Sequence, residues 1–124
     1  MMKTVQAFTL ALLAAAMGMW TSVASANHFT GACAAELNAV EFEIGQAVFL
    51  GQNAATDQSN LLAKLEAAGA KVQLGKPADA VDKLDDISTK VTELVSAPKP
   101  KLADGSGITT AVVGAIACVG KLPS

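Results

Sequence analysis

Two cysteines, Cys33 and Cys118, are the residues of this 124-residue chain whose type best suits covalent chemistry. In an oxidising compartment such a pair usually closes into a disulfide, and in the chain-entropy model a loop this long stabilises the fold by about 4–5 kcal/mol. Zinc binding is an alternative, but two thiolates and one distant histidine do not complete a four-ligand site. Lipidation of Cys33 is another, although the preceding Thr30-Gly31-Ala32 lacks the large aliphatic residue that a lipoprotein peptidase prefers. The sequence therefore predicts a Cys33–Cys118 disulfide.

Residues 1–26 have the features of an export signal. Lys3 supplies a positive start, an apolar run from Ala7 to Trp20 follows, and Ala24-Ser25-Ala26 provides the small residues that a signal peptidase accepts. The alternative is an uncleaved membrane anchor, but the apolar run is too short to span a bilayer. We predict cleavage after Ala26, which leaves residues 27–124 as a single domain in the periplasm or outside the cell.

Four side chains are candidates for binding a metal: His28, Asp79, Asp82 and Asp86. His28 would complete a square-planar Cu(II) site only if the mature chain began at Ala26, because histidine would then be the third residue. Cleavage after Ala26 makes it the second residue, and a solvated terminus is then the preferred interpretation. The aspartates share a helix face and carry the oxygen ligands that Ca²⁺ prefers, but they lack EF-hand spacing. A solvated acidic face near a helix start is the preferred interpretation. We therefore predict no metal and no cofactor.

Catalytic motifs are missing from the sequence. His28 is the only histidine and lies near the predicted mature terminus, so no serine has a base that would activate it. The stretch Asp104-Gly105-Ser106-Gly107 is typical of a turn and lacks the lysine and threonine of a phosphate loop. A net charge of −2 argues against nucleic acid as the main partner. We expect a protein that is not an enzyme.

Apolar residues recur every three or four positions throughout the predicted mature chain, which is the spacing of amphipathic helices. The first helix is expected over residues 30–50, the second from residue 61 to residue 74, and the third from Pro77 to about Ser96. Residues 97–107 form the longest break in the pattern and are predicted to be a loop. Residues 108–119 contain several β-branched side chains, which would suit a strand. A lone strand would have no partner, however, so a fourth helix is the better interpretation.

Two details of these helices carry further expectations. Gly69 marks either a weaker second helix or a close contact. Asp79 with Lys83, and Asp86 with Lys90, are spaced as stabilising i,i+4 ion pairs on the third helix.

The predicted fold class is all-α, a small up-down-up-down four-helix bundle stapled by one disulfide. In this topology the start of the first helix lies near the end of the fourth, which is where Cys33 and Cys118 fall. The topology and the cysteine count therefore point to the same pairing.

The stretches SNLLAKLEAA (residues 59–68) and GKPADAVDKL (residues 75–84) resemble the FIMAH domain, a small helical module at the ends of many secreted bacterial proteins. In that family a leucine-rich helix and a short glycine turn precede a helix whose alanine and leucine face packs back on the first. The resemblance covers residues 57–116 and implies a non-catalytic accessory domain, with no functional residues to transfer. This chain differs from the family pattern by its signal peptide, its first helix and its cysteine pair.

These observations predict a secreted or periplasmic, non-catalytic bundle that acts as a protein-interaction or structural accessory module. Its expected partner is another envelope or secreted protein. A small-ligand or metal carrier of the bacterial envelope is the alternative, and it would use the bundle interior or the aspartate face. Membrane activity through residues 108–119 is disfavoured, because that segment is too short to span a bilayer.

Overall fold

The computed structural model describes residues 28–124, so the predicted signal peptide and its cleavage site lie outside the described residues. The described part of the chain is all-helical and has no strand. Its four helices are α1 (Ala34–Gln46), α2 (Ala54–Gln73), α3 (Pro77–Ser96) and α4 (Ser106–Val119). None of these helices combines the length and the apolar character needed to cross a membrane.

The helices form a ring in which each packs against two neighbours, in the order α1, α2, α3, α4 and back to α1. Neighbours run in opposite directions. Gln73 at the end of α2 donates a hydrogen bond to the carbonyl of Thr30, just before α1, at 3.1 Å. The disulfide between Cys33 and Cys118 likewise joins the start of α1 to the end of α4. The up-down-up-down four-helix bundle is confirmed.

A single hydrophobic core fills the space between the four helices. The helix α3 shows how the sequence pattern produces it, because its buried aliphatic positions recur at spacings of four and three: Ala80, Leu84, Ile87, Val91 and Leu94. Among the described residues, no polar or charged residue is fully buried. The core of the bundle is therefore held together by apolar packing.

The first helix is shorter than predicted at both ends, spanning Ala34–Gln46 instead of residues 30–50. At its start, Gly31 (φ +84°) and Cys33 (φ +58°) have left-handed backbone conformations that a helix cannot include. After its end, Leu50 donates a backbone hydrogen bond to Lys101 (2.9 Å). The apolar segment 47–50 therefore pairs with the α3–α4 connector instead of extending α1.

The second helix begins at Ala54, earlier than predicted. The polar stretch that was expected to precede it forms its first turns, and Asp57 lies there, where the helix dipole favours a carboxylate. Gln58 also donates a hydrogen bond to the carbonyl of Ile44 near the end of α1, at 3.0 Å. At the other end, Gly75 (φ +72°) terminates the helix in a Schellman motif, with hydrogen bonds from Gly75 to Val72 and from Lys76 to Lys71.

The predicted loop between the third and fourth helices is confirmed, but it is not a simple surface loop. Leu102 within it is completely buried, and its backbone forms an isolated antiparallel bridge with Phe49. Ala103 donates a hydrogen bond to Val48 at 3.0 Å. The two long connectors thus pair at one end of the bundle and close the core there.

Candidate functional sites

The end of the bundle opposite these connectors carries the disulfide. Cys33 and Cys118 are joined at an S–S distance of 2.04 Å, with their Cα atoms 5.9 Å apart. Both cysteines are half-buried. The pairing predicted from the sequence is confirmed, and α1 and α4 are covalently linked at this end.

Glu36 lies beside the disulfide, a neighbour that the sequence analysis missed. One carboxylate oxygen of Glu36 and the sulfurs of Cys33 and Cys118 all lie within 4.8 Å of one another. Glu36 occupies the first turn of α1, where the helix dipole stabilises a carboxylate. Its position three residues after Cys33, in the first turn of the helix that follows this cysteine, is the only signal in the sequence that points to it.

Residues 28–31 form an N-terminal arm that lies across α1 and α2. Asn38 binds the backbone of Phe29 twice, accepting its N–H at 2.8 Å and donating to its carbonyl at 3.1 Å. The Phe29 ring lies against the backbone of Gly69, where an added Cβ would be 2.5 Å from Phe29 Cε1. Gly69 therefore marks a close contact, the second of the two predicted possibilities, and the group that approaches it is an aromatic ring.

His28 is held by the bundle, in contrast to the free, solvated terminus expected from the sequence. Its Nε2 lies 2.5 Å from Glu66 Oε2 on α2, and its ring packs edge-on against Phe29 with centroids 4.9 Å apart. The arm brings His28 to Glu66 because Asn38 and the Gly69 contact anchor the next residue, Phe29.

Glu41 on α1 completes a small charged group with His28 and Glu66. Burial raises the pKa of the Glu41 carboxyl, and this effect outweighs the attraction of His28, which lowers the pKa; the nearby Glu66 carboxylate raises it further. Glu41 Oε1 is buried and has no hydrogen-bond partner. One imidazole and two carboxylates thus lie near one another, and the Glu41 carboxylate is partly withdrawn from solvent.

The aspartates of α3 remain exposed and separate. Asp79, Asp82 and Asp86 all face solvent. Asp79 Oδ2 lies 3.9 Å from Lys71 Nζ of α2, and Lys90 Nζ lies 3.8 Å from Glu93 Oε1. The predicted Asp79–Lys83 and Asp86–Lys90 ion pairs are wrong, since Asp79 pairs with Lys71 of α2 and Lys90 pairs with Glu93 instead. Within residues 28–124, these aspartates do not assemble into a metal-binding group.

The outer face of α4 differs from the rest of the surface because it is uncharged. The segment Ser106–Val119 contains no charged side chain. Six of its residues are exposed. Ser106 and Gly107 lie in its first turn, and the other four, which we call the α4 surface, are Thr110, Val113, Gly114 and Ala117. Val113 is 65% exposed, and an added Cβ at Gly114 would meet nothing within 4 Å. The α4 surface is therefore open and largely apolar.

Comparisons of the chain with models of known protein families, with curated proteins and with solved structures gave no match. The resemblance to the FIMAH domain therefore stays a prediction.

Proposed function

We propose that this protein is an exported, non-catalytic helical bundle that binds another protein through the α4 surface. The observation that carries the proposal is an exposed helical face without charge on a chain whose net charge is −2. The cores of protein–protein interfaces are depleted of charged residues, and burying an uncharged face avoids the cost of desolvating ions. The expected partner is an envelope or secreted protein with an apolar surface of its own.

The charges on α1 and α3 favour α4 over these two helices as the binding face. The outer face of α3 carries an exposed acidic cluster that includes Asp79, Asp82 and Asp86. On α1, Glu36, Glu41 and Glu43 are half-buried around the helix. An apolar partner would have to desolvate these carboxylates on either helix but meets none on the α4 surface.

The disulfide supports an accessory module that works outside the cytoplasm. It joins the start of α1 to the end of α4 and so fixes the helix that would bind. Cleavage after Ala26 would leave the N-terminal arm in the mature chain, where His28 and Phe29 hold α1 and α2 together. A binding module gains from this rigidity, because less conformational entropy is lost when a pre-organised surface binds.

The experiment is crosslinking in the native envelope with Val113→Lys and a matched control. Leu74→Lys is that control, since Leu74 is 66% exposed at the end of α2 while Val113 is 65% exposed on α4. We expect the wild type and Leu74→Lys to recover the same partner and Val113→Lys to lose it. A partner retained by Val113→Lys, or no reproducible partner with the wild type, would refute the proposal.

A further inference from the structure

We propose that reduction of the disulfide converts Cys33, Cys118 and Glu36 into a binding site for a thiophilic divalent cation of the Zn²⁺ class. The two thiolates and one carboxylate oxygen would be the protein ligands, and a fourth position would be open to water. This inference is independent of the proposed binding through the α4 surface.

The geometry already brings the three donors together. The two sulfurs and an oxygen of Glu36 lie within 4.8 Å of one another. They come from the start of α1 and the last turn of α4, and Leu37 and Val119 on these two helices are both buried in the common core. Where the helices stay packed after the S–S bond is broken, the three donors stay neighbours.

The donor set suits zinc. Thiolate sulfur binds Zn²⁺ at about 2.3 Å and carboxylate oxygen at about 2.0–2.2 Å, and two sulfurs on a tetrahedral ion are then roughly 3.8 Å apart. With the Cα atoms 5.9 Å apart, rotation about the two Cα–Cβ bonds provides this separation without displacing either helix. Three protein ligands with a fourth, open position is an arrangement that zinc adopts in proteins.

The oxidation state of the cysteines controls the site. In the disulfide each sulfur is bonded to the other, and no thiolate is available as a ligand. A dithiol reductant transfers two electrons and two protons to the disulfide, which becomes two thiols while the reductant becomes a disulfide. The cation then displaces the two thiol protons and offsets the repulsion between the thiolates and the Glu36 carboxylate. All three residues are only half-buried, so reductant and metal both have access.

By sequence, two thiolates and a distant His28 leave a zinc site incomplete. In the structure a third ligand is available from Glu36, which lies in the first turn of α1, just after Cys33. Glu36 is therefore the residue that distinguishes a metal site from an isolated pair of thiols.

The test is a Co²⁺ titration of the mature chain, monitored by the thiolate-to-cobalt charge-transfer absorption and followed by displacement with Zn²⁺. A phosphine reductant, removed before the titration, prepares the reduced form without adding competing thiols. Three variants accompany the wild type: Cys118→Ser, Glu36→Gln and, as the matched control on α1, Glu43→Gln. Circular dichroism of each reduced sample reports whether it is folded.

We expect one Co²⁺ per reduced wild-type chain and none for the oxidised chain. Cys118→Ser should abolish the absorption, Glu36→Gln should weaken binding by at least about tenfold, and Glu43→Gln should leave it unchanged. If the reduced chain is partly unfolded, Zn²⁺ should restore its helical signal. A reduced wild type that neither binds Co²⁺ nor regains structure with Zn²⁺, or equal affinity of Glu36→Gln and the wild type, would overturn the proposal.

Discussion

Leu102 offers the most direct test of how the bundle is closed, because it lies in a connector that looks dispensable by sequence. Its side chain is completely buried, and the backbone on either side is bonded to the other long connector, through Lys101 to Leu50 (2.9 Å) and Ala103 to Val48 (3.0 Å). Replacing leucine by alanine there removes buried carbon atoms in a place where the paired backbone prevents collapse around the cavity. Replacing a fully buried leucine by alanine lowers the free energy of unfolding by about 2–5 kcal/mol, and we expect a loss of about 3 kcal/mol for Leu102→Ala.

Urea denaturation of the oxidised protein measures this loss as a lower midpoint with an unchanged slope. Leu74→Ala is the matched control, since it makes the same chemical change at a leucine that is 66% exposed. We expect the control to stay within about 0.5 kcal/mol of the wild type. Equal stabilities of the two variants would show that the α3–α4 connector does not close the core.

Three further predictions concern the arm, the disulfide and the buried carboxylate. Gly69→Ala should displace the Phe29 ring and lower the free energy of unfolding, measured by thermal unfolding, by about 1–3 kcal/mol. At Gly114 an added methyl group meets no neighbour, so Gly114→Ala should raise the free energy of unfolding by up to about 1 kcal/mol. Similar effects at both sites would contradict the Phe29 contact. Reduction of the disulfide, which closes a sequence separation of 85, should lower the free energy of unfolding by about 4–5 kcal/mol, and an unchanged urea midpoint would be inconsistent with that contribution. The raised pKa of Glu41 means that the folded protein binds its proton more tightly than the unfolded chain, so ionisation destabilises the fold as the pH rises above about 4.5. Glu41→Gln should therefore gain stability relative to the wild type as the pH rises above about 4.5. A stability difference that does not change with pH would show that this carboxyl is not perturbed.

The third helix was predicted well because its determinants are local. Its bounds agree with the expected ones, since Pro77 suits a first helical turn and Pro98 and Pro100 follow soon after its end. Its apolar positions also recur at a strict helical spacing, so the side that faces the core was evident. The disulfide was predictable for a different reason, because only one pairing of two cysteines exists and the bundle topology agrees with it.

The ends of the first two helices were predicted less well because their determinants are distant in sequence. Phe49 and Leu50 continue the apolar pattern of α1, but the backbone around them is extended because residues 101–103 offer it hydrogen bonds. The polar residues that begin α2 look like a connector by composition, yet Gln58 binds the end of α1 across the turn. In both cases a tertiary hydrogen bond outweighed the local preference.

The sequence by itself determined the helical class, the core faces of the helices and the identity of the cysteine pair, because each depends on periodicity or on the small number of residues that can react. Only the tertiary structure decided that Glu36 lies beside the sulfurs, that His28 meets Glu66 and that Leu102 closes the core. These contacts depend on how the helices are rotated and where the irregular segments run. Helix rotation and loop path are set by packing across the whole bundle, which no local stretch of sequence encodes.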